Sequence, residues 1–260
     1  MARILLAVHN VFTEHVSGAA RSMRTIMRWL RDSGHHVFAL STGRFESTRG
    51  ATLDAHLASL GIAVTWRNME TACPDGTYIA DGIPVRVLAT AHNDMKHPDA
   101  AENARYLTLF DEILRRDVPD VVLSYGAHPV LHEALRRARL AGARTVFSAR
   151  GHGYEQAGWY RHADHVLATS PFMAREIQRH AGVEAIGIPS PIDWEETVGT
   201  EETRGFRDIH QSVVIERAYA VRPAGGYVGP AAAGHSSSGR AVHRRRWGVE
   251  ANHGSEPGPV

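Results

Sequence analysis

In the stretch Ala149 to Tyr154, ARGHGY, an arginine and a histidine alternate with glycines directly after an apolar run. Arg150 could hold a phosphate or another polar oxygen through its planar fork of donors. His152 could orient a hydroxyl, and Gly151 lets a ligand approach the backbone. A second set follows the first apolar run. His9 and Asn10 precede Ser17-Gly18-Ala19, a small-residue loop that opens a helix pattern. Free N–H groups and the helix dipole favour an anion there. The loop is neither GxGxxG nor a P-loop, and close helix–strand packing is the competing reading. A third set, Tyr125, Gly126 and His128, follows VVLSY. His128 and His132 have the i,i+4 spacing of a metal pair, but the sequence nominates no third ligand, so no metal is expected. Ser170, before Pro171, reads as a helix N-cap at the same end of a strand.

What positions these residues is a regular alternation. The apolar run Arg3 to Asn10 predicts a buried parallel strand, and Met23, Ile26, Met27 and Leu30 predict a helix over Ala19 to Ser33. A strand over His36 to Ser41 follows, then a helix over 52–62 and a strand over 63–68. Asp81-Gly82 inside Gly76 to Leu88 predicts a hairpin. Helices over Glu102 to Arg116, Val130 to Leu140 and Pro171 to His180 then alternate with strands over 120–125, 144–149, 165–170 and 183–188. The expectation is an α/β fold: a Rossmann-like, doubly wound, mostly parallel sheet over residues 1–188, covered on both faces. Ligands of such sheets bind beyond the carboxyl ends of the strands, where all three sets fall.

The balance of 29 basic and 28 acidic residues gives a net charge of +1, which compels no nucleic-acid partner. Arginine supplies nearly all of the basic side chains, Lys96 being the lone lysine. The single cysteine, Cys73, suits a reducing cytoplasm and excludes an intrachain disulfide. No apolar run is long enough for a membrane span. Residues 189–205 read as a proline-containing, acidic linker. Residues 206–260, rich in Gly, Ala, Pro, Arg, Ser and His, carry no period of either kind and read as an irregular, disordered tail.

Taken in order, RILLAVHN, SGAARSMRTIMRWLRDSGHHVFALS, PDVVLSYG, ARTVFSARGHGY, ADHVLATSPFMAREI and IGIPSPIDW resemble the N-terminal half of family-4, GT-B-fold glycosyltransferases over about residues 1–196. The resemblance implies two Rossmann-like domains facing a cleft, the first mainly for the acceptor and the second for a nucleotide-diphosphate sugar. It implies retention of anomeric configuration, no metal and no resident cofactor. Acceptors in such a family are carbohydrates, lipids or small molecules; peripheral membrane contact and oligomers stay open. Ser17, Gly18 and Ala19 match the loop that approaches the donor diphosphate, where the family commonly carries two glycines. Arg150 falls where many members have a histidine and a subgroup has arginine, which gives Arg150 and His152 the role of orienting sugar or acceptor. Ser170 matches a family serine, and Pro189 to Trp194 matches the interdomain hinge. A stand-alone acceptor-binding module, or a partner of a separate donor-domain chain, is the alternative. A nucleotide-dependent oxidoreductase is disfavoured, because GxGxxG and an acidic residue after the second strand are absent.

The family pattern continues with a strand and an NP…KG loop, which Phe206 onward does not contain. Arg207 to Ser212 can be coded CGT GAC ATT CAT CAA TCC. Read one base on, the same string gives Val-Thr-Phe-Ile-Asn-Pro. Permitted codons extend this frame through an NPxxxKG loop, an amphipathic helix and a second apolar strand. The gene sequence is expected to show wobble bases compatible with that shifted peptide; incompatible bases there would sink the frameshift.

Overall fold

The structure, a computed structural model, describes residues 1–46, 52–91, 100–151, 154 and 156–192. The tail of residues 206–260 and most of the linker therefore lie outside the described residues. Among those described, nine strands form one sheet in the order β3-β4-β5-β2-β1-β6-β7-β8-β9. The strands are β1 (Arg3–Ala7), β2 (His36–Thr42), β3 (Thr65–Arg67), β4 (Asp75–Ala80), β5 (Ile83–Leu88), β6 (Val121–Tyr125), β7 (Arg144–Ala149), β8 (His165–Ala168) and β9 (Ile186–Gly187). The helices are α1 (Gly18–Asp32), α2 (Leu53–Ser59), α3 (Ala100–Asp117), α4 (Pro129–Leu140) and α5 (Pro171–Ala181). From β2 across to β9 the sheet is parallel, with β5 joining β2 in the same sense. The expected Rossmann-like α/β fold is thus present.

The sequence reaches this arrangement through local rules. β1 reads Ile-Leu-Leu-Ala because both of its faces are covered, and Leu5 and Leu6 point to opposite cores. Each leucine is essentially fully buried, worth roughly 1.5–3 kcal/mol. Helix α1 starts where Ser17 Oγ accepts from Ala20 N (3.2 Å) and stops before Gly34, which has φ +85°. The β4–β5 hairpin turns on Asp81 and Gly82, both with positive φ (51° and 69°), the requirement of a two-residue primed turn. Arg24 on α1 grips the Asp81 carboxylate from the side. Gly187 is fixed sterically: a Cβ there would lie 2.5 Å from the Pro171 nitrogen at the start of α5.

Two features depart from the pattern read in the sequence. The expected hairpin pairs β4 with β5, but β3 also runs antiparallel to β4, so one edge of the sheet is a three-stranded meander. Its strands are joined by short turns, which bring no crossover helix. Among the described residues, coverage of both faces consequently fails over β3, β4 and the start of β5, where Thr65, Arg67, Thr77, Ile79 and Pro84 are exposed. The expected strand over 183–188 is also reduced to the two residues of β9, because only Ile186 and Gly187 find partners on β8. Among the described residues no helix is long and apolar enough to cross a membrane.

Candidate functional site

Strand order reverses between β1 and β6: the chain goes from β1 outward to β2 and β5 on one side, then returns to β6 and continues outward on the other. The loops leaving β1 and β6 diverge at that point and open a crevice at the carboxyl ends. The structure brings His9, Asn10, Tyr125 and His128 together there. Asn10 donates from Nδ2 to Tyr125 Oη (2.8 Å), and the phenol in turn lies 3.0 Å from Asn10 Oδ1. Both residues are buried, and burial pushes the Tyr125 phenol well up despite its hydrogen bond to Asn10.

The His9 and His128 rings stack with centroids 3.5 Å apart and planes 13° from parallel. Such stacking is tolerable only while the rings are uncharged. Burial, then His128, then the Arg44 guanidinium lower the His9 imidazole to about 3. Burial and Arg44 lower His128 to about 4. His128 Nδ1 caps α4 by accepting from Val130 N (3.2 Å), which leaves its proton on Nε2. That Nε2 and His9 Nδ1 are buried without a protein partner, so the pair keeps unspent hydrogen-bonding capacity. The His132 ring lies against Trp159, with centroids 4.8 Å apart.

Behind the histidines, Arg44 and Glu102 form an ion pair whose side chains are 0% and 2% exposed. Glu102 also accepts from Ala91 N (2.7 Å), tying α3 to the segment after β5. Breaking such a pair costs about 3–5 kcal/mol, because a buried charge is stranded. Sequence reasoning missed both residues, as nothing in spacing links position 44 to position 102. It also missed Glu14 and Glu46. Glu46 N donates to Glu14 Oε2 (2.8 Å), and the Ser17 hydroxyl donates to the Glu46 carboxylate. A carboxylate thus already stands at the start of α1. The space left for a ligand is beside exposed Gly18, where an added Cβ would meet nothing within 4 Å. Ala19 is half-buried behind it.

Arg150 leaves β7 toward α1. Its Nε and Nη2 lie 3.3 and 3.2 Å from the Met23 sulfur, and Nη1 donates to Ser190 Oγ (3.2 Å). All of these partners are neutral, and burial holds the guanidinium below the usual arginine range. Gly151 beside it leaves open space. His152 lies outside the described residues. Ser170 is the N-cap of α5, accepting from Met173 N (3.1 Å), so its hydroxyl has a structural task. Of the hinge, the structure describes Pro189 to Ile192.

The fold is a Rossmann-like α/β domain with a cluster of buried polar residues at its switch point. The sequence profile described as Glycosyltransferase Family 4 matches residues 16–196, and the chain belongs to that family. No curated protein matches the sequence. Among solved structures, the chain is similar to the catalytic domain of starch synthase IV from Arabidopsis thaliana bound to ADP and acarbose. That likeness has 12% identity and a TM-score of 0.50, covering 75% of this chain and 52% of that one. It is also similar to S. aureus MnaA with UDP (11% identity, TM-score 0.46, 81% and 52% covered). A third is an alpha-glucosyltransferase in complex with UDP and a 13-mer DNA (11%, 0.40, 75% and 43%). At these identities only the first likeness bears on the fold, and none bears on the reaction. The chain spans about half the length of the solved structures it matches.

The histidine pair sets a pH dependence. Unfolded imidazoles titrate near about 6.5, above both folded values, so the unfolded chain binds more protons as the pH falls. Stability is therefore whole above about pH 6.5 and declines toward pH 4, by about 2 kcal/mol per imidazole between pH 7 and 5. Urea unfolding at pH 7, 6 and 5 should show this decline. His128→Asn, which preserves an N-cap, should remove about half of it. An unchanged slope in that variant would contradict the assignment.

Proposed function

We propose that the chain is the acceptor-side half of a glycosyltransferase. The enzyme would move a sugar from a nucleotide-diphosphate donor to a carbohydrate, lipid or small-molecule acceptor, with retention of configuration. The observation that carries the reading is Arg150, a half-buried guanidinium at the crevice whose partners are a thioether and a hydroxyl. A desolvated cation facing only neutral groups favours a phosphate or sugar oxygen over continued isolation. Family membership supplies the reaction class.

The geometry supports a division of labour. Arg150 and the open space at Gly18 and Gly151 take the polar or anionic part of the substrates. The neutral His9 and His128 rings stand buried behind the strand ends and add no charge to the crevice. Both imidazoles are too acidic to hold a proton near neutrality, so they act as orienting dipoles rather than as acid catalysts. Holding two substrates in one crevice supplies rate through orientation, and excluding water protects the donor from hydrolysis. The nucleotide-diphosphate sugar is a substrate of the reaction. Cytoplasmic residence rests on the single, buried cysteine. Residues 1–188 serve as the acceptor domain and 189–205 as the hinge; the donor half lies in the shifted frame after Phe206.

The direct experiment expresses this chain and its frame-restored counterpart, each offered a panel of radiolabelled nucleotide sugars with sugar, lipid and small-molecule acceptors. The restored chain should transfer sugar with retention, judged by NMR of the product anomer. Arg150→Ala should lower its kcat/KM by about 100-fold, the effect of removing one charged contact. The 260-residue chain should transfer weakly or not at all. Transfer by it at the restored chain's rate, or no transfer by the restored chain with any donor, would refute the reading.

A further inference from the structure

At the end of the sheet opposite the crevice lies a second concavity, with a volume of about 930 Å³. Among the described residues, the meander of β3, β4 and β5 brings no helix to the sheet face that α3 covers elsewhere. Strand alternation turns Phe38 of β2, Pro84 of β5 and Ile79 of β4 toward this bare strip, and Ile113 of α3 walls it. Ile79, the penultimate residue of β4, is 66% exposed. The strip from β2 to β3 spans four strands, about 14 Å, so one helix of about 10 Å diameter fits beside α3.

The rim carries a definite charge. Arg3, Arg67, Arg86 and Arg116 line the concavity, and Asp117 is the one carboxylate among the described lining residues. In the ion pairs here, five arginines share three carboxylates: Arg67, Arg86 and Arg105 on Asp75, Arg86 also on Glu112, and Arg3 and Arg116 on Asp117. Asp75 is fully buried beneath its arginines, leaving the side chains of Arg3, Arg67 and Arg116 46%, 45% and 67% exposed. Apolar floor, cationic rim and a missing helical layer are complementary to one kind of object.

We propose that this face docks an acidic amphipathic helix of a partner protein, which completes the layer that the meander leaves out. Its apolar stripe covers Phe38, Ile79 and Pro84, and its carboxylates meet Arg67, Arg116 and Arg3. A flat anionic membrane fits less well, because α3 walls the strip and keeps a planar surface off Phe38. The site is independent of the crevice, lying at the amino ends of β1, β2 and β5.

The test uses the full chain and a fluorescent 18-residue peptide of glutamate and leucine at helical spacing. Its controls are a lysine-for-glutamate twin, a scrambled peptide and phosphatidylglycerol vesicles. The acidic peptide should bind with a Kd of about 10–100 µM by anisotropy, typical of a short transient interface. Hydrogen exchange should slow in residues 63–67 and 77–86. Ile79→Glu and Arg116→Ser, both at exposed side chains, should each weaken binding by about tenfold while urea unfolding stays unchanged. Arg150→Ala should leave it intact, which separates this outcome from the fate of the crevice. No binding at about 1 mM, equal binding of the lysine or scrambled peptide, or protection of these residues by vesicles and not by the peptide would each overturn the proposal.

Discussion

The parallel pairing of β1 with β6 is the constraint on which the molecule turns. Ile4 opposite Val121 and Leu6 opposite Leu123 set two strands side by side whose loops must leave in opposite directions. One loop leads into α1 and the other into α4, and no side chain of the two cores can close the gap between them. The crevice is therefore a consequence of strand order. The residues that line it are those that happen to end β1 and β6, together with Arg150 from the neighbouring β7.

Placing polar groups at a buried strand end is expensive, and the chain handles the cost by pairing them. Asn10 answers Tyr125, Glu102 answers Arg44, and the two imidazoles stay neutral so that they can lie face to face. The Arg44 charge helps, because it stands behind both rings and disfavours their protonation. Among the described residues, Arg150 keeps only neutral partners, and several buried polar atoms lack one, among them a nitrogen on each histidine and the hydroxyls of Tyr106 and Ser124. These leftovers are where a ligand would gain most.

Much of this was legible in the sequence, and the limits have physical causes. Short, largely apolar runs gave β1, β6 and β7, since strands buried on both faces carry apolar side chains toward both. Asp81-Gly82 gave the hairpin, because few residue pairs accept two positive φ values. The antiparallel sense of β3 and the bare face beside it were not legible, as alternation says which side chains share a face but not whether a helix will cover it. At the site, His9, Asn10, Tyr125 and His128 could be nominated from position alone. Their mutual contacts could not, because the stacking of residues 9 and 128 depends on a register 119 positions apart in the chain. Glu14 and Glu46 escaped for the same reason, and they change the loop at Ser17 from a vacant anion seat into one that already holds a carboxylate.

If the switch-point crevice is the ligand site, a ligand should be felt there first. The measurement is a ¹H–¹⁵N spectrum of the labelled chain, titrated with nucleoside diphosphates, simple sugars and sugar phosphates. A binding ligand is expected to shift Asn10, Gly18, Tyr125, Gly126 and Gly151, while Arg67, Thr77 and Ile79 at the far end of the sheet stay still. Shifts confined to that far end, or no shift with any of these compounds at millimolar concentration, would contradict it.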